Sequence, residues 1–517
     1  MPHGPGATSM RRSAGRIDCP VEAWQGLGRG FCHGVCNRVG GSAGRLRPRP
    51  RRDRRIMSDV NKVLECLESR RGEWEDLLCD FLRIPSVSAD PAHAEDVRAA
   101  AQWTAKLFDD MGFSVELAEP EQRPIVYAES PRVGGAPTVV VYGHYDVQPA
   151  EDPTLWETPP FEPDIRDGSF FARGACDNKG QILPHILAVR AWKEAVGRLP
   201  LNFKFVVEGE EEVGSLLLER FLDEQAERLA CDCVVISDTG MPGLDQPAIT
   251  YGLRGVAYFE VRLTGPNRDL HSGSFGGAVT NPCNALAKML GGLIDDAGRV
   301  QIPGFYDDVV PLSDEERARF RAVPFDEKAF FRSLGVESAV GEKGYTVLER
   351  RWARPTYDVC GVWGGYQGAG AKTVLPGQGG AKISFRLVPH QDPVKIAKGL
   401  EIRLRQLCPP GIRLEIVDLH ASPAVLTPLD SPCVQAAERA LAAVFPRPPV
   451  AIREGGSIPI VARFQQRLGA DVLLIGFALE DDNAHAPNEK YSVQTFHRAM
   501  AVSARLWDEM SRQPGAK

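Results

Sequence analysis

No stretch of this 517-residue chain stays apolar for the roughly 20 residues that a bilayer span requires. A membrane protein is therefore not expected. Aromatic residues make up only 8% and charged residues 25%, against 43% hydrophobic, an ordinary globular composition. Lysine is missing from residues 1–56, where twelve arginines face only Asp18, Glu22 and Asp53. That segment carries +9 of a total of −7, so the remainder carries −16. An acidic body argues against nucleic acid as the main ligand, because phosphate binding needs a basic surface. Twelve cysteines are scattered, and the Cys32–Cys36 pair has no second pair at zinc-finger spacing. Reduced thiols in a cytoplasmic protein are the expectation. There is no internal repeat.

Residues 1–56 also lack apolar periodicity and are rich in Gly, Arg and Pro. A targeting leader, a nucleic-acid-binding arm and a solvated tail ahead of a true start at Met57 compete. The last is favoured, because a helical pattern begins directly after Met57.

At this length at least two domains are expected. Val60 to Leu82 reads as an amphipathic helical stretch that stops at Ile84-Pro85, and a second helix is predicted from about Ala94 to Met111. Four apolar runs follow: Thr138–Tyr142, Phe203–Val207, Cys233–Ile236 and Val472–Phe477. Each leads into a polar cluster. Continuous apolar runs separated by helices imply strands buried on both faces of a largely parallel sheet. Ligand sites in such sheets form beyond the carboxyl ends of the strands. Between the third and fourth runs the pattern changes. Val256–Leu263 and Lys382–Leu387 alternate, and Asn281–Ile294 and Pro393–Leu407 read as helices. The expectation is an α/β catalytic domain, with a mostly parallel mixed sheet flanked by helices, over 57–250 and 415–517. An α+β domain over 251–414 would be inserted in it, and 302–350 is a charged excursion.

The strand ends carry the chemistry. His144 and Asp146 form His-x-Asp, in which one residue can coordinate a metal while the other orients the imidazole. Asp177 lies in a turn-rich stretch, Arg173 to Gly180. Glu211 and Glu212 are adjacent, so one can bind metal while the other faces a reacting water. Asp238 follows the third run, and His485 the fourth. Two imidazoles and several carboxylates at one sheet edge would repel one another unless divalent cations intervene. The mixed donor set suits Zn2+, and also Mn2+ or Co2+.

Gly143-His144-Tyr145-Asp146-Val147-Gln148-Pro149, Gly174 to Gly180, Glu211-Glu212-Val213-Gly214-Ser215 and Ala484-His485-Ala486-Pro487-Asn488-Glu489 resemble the M20 metallopeptidases, in particular their carnosinase-like dipeptidase branch. The similarity extends over about residues 60–512. The resemblance implies that Asp177 bridges two metals, with His144 and Asp238 on one and Glu212 and His485 on the other. Asp146 would orient His144, Glu211 would be the general base, and the Asp177–Asn178 peptide would be cis. It further implies a homodimer through the inserted domain, in which His271 reaches the partner's active site to stabilise an oxyanion. His271 otherwise reads as a residue capping a loop. Arg354 would pair with a substrate carboxylate, and Gly455-Gly456-Ser457 would cradle the substrate or form an ordinary turn.

The leading reading is a two-metal hydrolase that cleaves dipeptides or short peptides. An N-acyl-amino-acid deacylase keeps the chemistry and changes the substrate. A catalytically silent metal-binding homologue is the alternative from another class.

Overall fold

The computed structural model describes residues 58–119 and 123–513; the Arg-rich segment and its cysteines lie outside them. The body 57–517 is built around one mixed nine-stranded sheet. Its centre is Thr138–His144, paired parallel to Asn202–Glu208 on one side and to Cys233–Ile236 on the other. Asp471–Leu474 then pairs parallel to Cys233–Ile236. Antiparallel strands Ile125–Glu129 and Ser114–Ala118 extend one edge. Ala248–Leu253, Val425–Leu426 and Val450–Glu454 complete the other.

Strand periodicity explains the layering. Val139 and Val141 point into one core, shared with helices Ala94–Asp110, Lys179–Val196 and Val493–Ser511. Val140 and Tyr142 point into another, closed by helices Leu216–Gln225 and Pro459–Leu468. Both faces are therefore dry, as the continuous apolar runs imply. The strand expected over 472–477 ends at Leu474. The stretch read as one helical run is two helices, Asp59–Ser69 and Arg71–Leu82, because Arg70 leaves helical geometry at φ −122°.

A second, four-stranded antiparallel sheet is ordered Thr356–Gly364, Gln378–Leu387, Gly255–Thr264, Arg413–Ser422. Its last strand runs on to Ser422, beyond residue 414. Helices Pro282–Gly291 and Pro393–Leu407 cover one face and enclose a core of their own, with Phe259, Ile383, Phe385, Leu286 and Leu400. The excursion over 302–350 is largely ordered by two short helices, Asp314–Ala322 and Glu327–Ser333, followed by Val347–Ala353. No helix among the described residues is long and apolar enough to cross a membrane.

Candidate metal centre

Three central strands and the loop after a fourth deliver the ionisable residues to one place. His144 is the last residue of its strand, Glu211 and Glu212 form a turn just past the Asn202–Glu208 strand, and Asp238 lies two residues past Ile236. Asp177 precedes the helix Lys179–Val196. Gly180 lets that helix start close to the preceding loop, since a Cβ there would sit 1.9 Å from the Ala175 carbonyl. His485 occupies a loop in which Asn483, His485 and Asn488 all have positive φ, from 56° to 61°. For a histidine this left-handed backbone is locally unfavourable.

His144, Asp177 and Asp238 form one triad of donor atoms, and Asp177, Glu212 and His485 a second. Asp177 belongs to both. Its Oδ1 lies 3.2 Å from His144 Nε2 and its Oδ2 lies 2.8 Å from His485 Nε2. Asp238 Oδ1 is 3.8 Å from His144 Nε2, and Glu212 Oε1 is 3.4 Å from His485 Nε2. The Asp177–Asn178 peptide is cis.

Neighbouring groups fix these side chains. Asp146 Oδ1 is 3.4 Å from His144 Nδ1, and that ring nitrogen is 3.0 Å from the Asp146 carbonyl oxygen. The same carboxylate accepts from the backbone N–H groups of Glu211 and Glu212 at 3.3 and 3.2 Å. Asp146 therefore contacts both the imidazole and the two-glutamate turn. Asn178 Nδ2 donates to Asp238 Oδ1 at 2.7 Å, and Gln148 Nε2 donates to Glu212 Oε2 at 2.7 Å.

The electrostatics are those of a gathered negative charge. Burial pushes the Glu211 carboxyl well above its ordinary value, and Asp238, Glu212 and Asp177 add to the effect. Burial opposes charge on His144, but Asp146, Asp177 and Asp238 outweigh it and raise that imidazole well above its usual range. Asp177 and Glu212 raise His485 to about 10. Asp177 itself, despite burial, is held low by the two histidines.

The residues fit a pair of divalent cations. His144 Nε2 and Glu212 Oε1 are buried and have no hydrogen-bond partner of proper geometry, although carboxylate and imidazole atoms face them. An uncompensated buried polar atom is costly. Two imidazole nitrogens and three carboxylates around two centres sharing one carboxylate meet the donor demands of zinc and similar metals.

Other expected residues lie elsewhere or are held differently. His271 caps a short helical turn, its Nδ1 accepting from Gly273 N–H at 3.1 Å, which leaves Nε2 available. Arg354, expected at a substrate carboxylate, is 4% exposed and pairs bidentately with Glu342, Nε and Nη2 donating at 2.7 and 2.9 Å. Two of its nitrogens thus face the excursion. Ser457 Oγ accepts from Arg386 Nη1 at 2.8 Å and donates to the Arg254 carbonyl at 2.5 Å. Arg254 Nε in turn donates to the Gly455 carbonyl at 3.0 Å. Burial, with Arg386 nearby, lowers the Arg254 guanidinium to about 10. Glu454 precedes this loop and accepts from Gly240 N–H at 2.9 Å; burial, with Asp238 nearby, raises it to about 7. Gly456 lies between these anchors.

The sequence reading missed Arg254, Arg386 and Glu454. Glu454 could have been found from its place beside Gly455. The arginines sit near and in alternating strands, where charge reads as an exposed face.

Comparison with known proteins agrees with the geometry. The human Beta-Ala-His dipeptidase is 34% identical over 476 residues, covering 88% of this chain and 93% of the relative. A Cys-Gly metallodipeptidase of Schizosaccharomyces pombe is 32% identical, covering 87% and 98%. Among solved structures, the dipeptidase Dug1p of Saccharomyces cerevisiae is 32% identical with a TM-score of 0.76, covering 89% of this chain and all of that one. The family model for Peptidase family M20/M25/M40 matches residues 140–509, from the strand that ends in His144 past the loop that carries His485, and the chain belongs to that family.

Proposed function

We propose that this protein hydrolyses the amide bond of dipeptides or short peptides, with Glu211 as general base and two metal ions at the paired triads. The observation that carries this reading is the sharing of Asp177 between two donor sets, with Glu211 beside them. His144, Asp177 and Asp238 would hold one cation, and Asp177, Glu212 and His485 the other. Such a pair, when bound, lowers the pKa of water and polarises a carbonyl. Glu211 takes a proton from the attacking water and returns it to the leaving amine, while Asp146 holds His144 and the Glu211 turn in place. Arg386 and Arg254, beside Ser457 and the Gly455-Gly456 turn, offer donors to a substrate carboxylate, since the bonds they make go to carbonyls and a hydroxyl.

The donor set favours Zn2+, with Mn2+ or Co2+ as substitutes. The nine described cysteines are free, which supports a reducing cytoplasmic setting. A homodimer through the second sheet would let the free Nε2 of His271 serve the partner's site. The mild acidity of the body supports no nucleic-acid role.

The relatives act on Beta-Ala-His and Cys-Gly, by their names, so dipeptides are the first substrates to test. Metal-reconstituted protein should be offered dipeptides and N-acyl amino acids side by side, with the released amine identified. Faster turnover of N-acyl amino acids would move the reading to a deacylase. No turnover of either class, with metal bound, would make it a silent homologue.

A further inference from the structure

The metal centre is assembled from loops far apart in the chain, and something must hold those loops in register. One buried ion pair touches three of them. Arg173 and Glu489 are 1% and 0% exposed, and Arg173 Nη1 donates to Glu489 Oε2 at 2.8 Å.

Glu489 does more than pair. Its Oε2 also accepts from Gly174 N–H at 2.9 Å, and its Oε1 accepts from Cys176 N–H at 2.9 Å and Asp177 N–H at 3.1 Å. The carboxylate thus wraps the backbone of the loop that presents Asp177, from a position four residues past His485. Arg173 extends the grip. Its Nη2 donates to the Pro149 carbonyl at 3.1 Å, at the end of the loop that carries Asp146, and its Nη1 reaches the Ala486 carbonyl at 3.4 Å. Beside the pair, Lys490–Ser492 zips onto Ser169–Phe171.

Buried ion pairs are often replaceable by apolar residues at little cost. This one is not a simple pair. Three backbone N–H groups of the Asp177 loop have this carboxylate as their acceptor, and an apolar replacement would orphan all three. A charged acceptor also bonds them more strongly and at shorter range than a neutral one.

We propose that the Arg173–Glu489 pair is a positioning clamp, which locks the loops bearing Asp146, Asp177 and His485 together and so sets the metal affinity of both triads. Neither residue touches a donor atom of the centre. The inference rests on the two-metal reading, and its test separates the two.

Metal-free wild-type protein and E489Q are titrated with Zn2+ by calorimetry, and urea unfolding of each metal-free protein is followed in parallel. Wild type takes up two equivalents. E489Q, which turns an amide donor toward backbone donors, is expected to bind both equivalents about 10- to 100-fold more weakly, the range for groups that orient metal ligands. R173M, which leaves the three backbone bonds intact, is expected to lose less. Should E489Q fail to fold, E489D serves: it keeps the charge but withdraws the oxygens by one methylene, and about a tenfold loss is expected.

A lowered urea midpoint with both Zn2+ affinities within twofold of wild type makes the pair merely structural and overturns the clamp. Weakening confined to one equivalent also overturns it, since the clamp acts on the shared Asp177. Wild type that takes up no Zn2+ removes the two-metal reading itself.

Discussion

Two of the clusters of buried charge among the described residues are built on opposite principles. In the excursion, Glu342 receives two bonds from Arg354 and one from Arg299, while the Arg354 guanidinium lies over the Tyr345 ring, 4.4 Å from its centroid. Both carboxylate oxygens are satisfied by the chain itself. At the sheet edge, His144, Asp177, Glu211, Glu212, Asp238 and His485 gather an excess of carboxylates, and two buried donor atoms lack a hydrogen-bond partner of proper geometry. A structural cluster closes its own charge balance, whereas a metal centre leaves it open for cations from outside.

The sharpest test of this contrast is E211Q. It removes the proposed proton acceptor but no donor atom of either triad. Turnover should fall about 10²- to 10⁴-fold, with metal content by elemental analysis unchanged. An active variant would put the base elsewhere.

The excursion cluster should behave the other way. E342A strands a buried guanidinium and should cost about 3–5 kcal/mol of unfolding free energy in urea titration, yet metal stoichiometry should hold. A loss of metal there would erase the distinction between the clusters.

Chelation should separate them again. Stripping metal from wild type should remove about 2.7 kcal/mol per site, when free metal had stood at 100 times its dissociation constant. E342A should show the same decrement on chelation, read from urea midpoints with and without chelator.

A last effect, seen only on acidification, concerns a titrating group that belongs to neither cluster. His185 is wholly buried between Ser237 and Ser503, with ring nitrogens 2.7 and 3.0 Å from their hydroxyls, and burial lowers it to about 3. The unfolded histidine binds a proton near pH 6.5 and the folded one does not. Its contribution to stability is therefore complete above pH 6.5 and declines between pH 6.5 and 3. The slope is about 1.4 kcal/mol per pH unit. H185Q should flatten the pH dependence of the urea midpoint by that one proton and leave the slope above pH 7 unaltered.

What the sequence made legible follows from the same physics. Thr138–His144 and Cys233–Ile236 were readable because strands buried on both faces are unbroken apolar runs, and His144 and Asp238 were readable because they end or follow such runs. The edge pair Ser114–Ala118 and Ile125–Glu129 was not singled out, since short strands beside polar turns leave little pattern. The pairing of Arg354 with Glu342 was not legible because that partner stands twelve residues away in a stretch without a recognisable motif. The role of Glu489 was hidden although the residue lay inside a quoted motif. Its partners are mostly backbone N–H groups, which no side-chain pattern reveals.

The position of Asp471–Leu474 has a consequence for synthesis. It lies inside the large sheet, between Cys233–Ile236 and Ala248–Leu253, although the whole of the second sheet stands between it and them in the chain. A nascent chain can form hairpins and helices as it emerges, but the middle of its main sheet stays open until the second sheet has been translated. The His485 loop comes later still, so the donor set of Asp177, Glu212 and His485 cannot be gathered before that strand has been made.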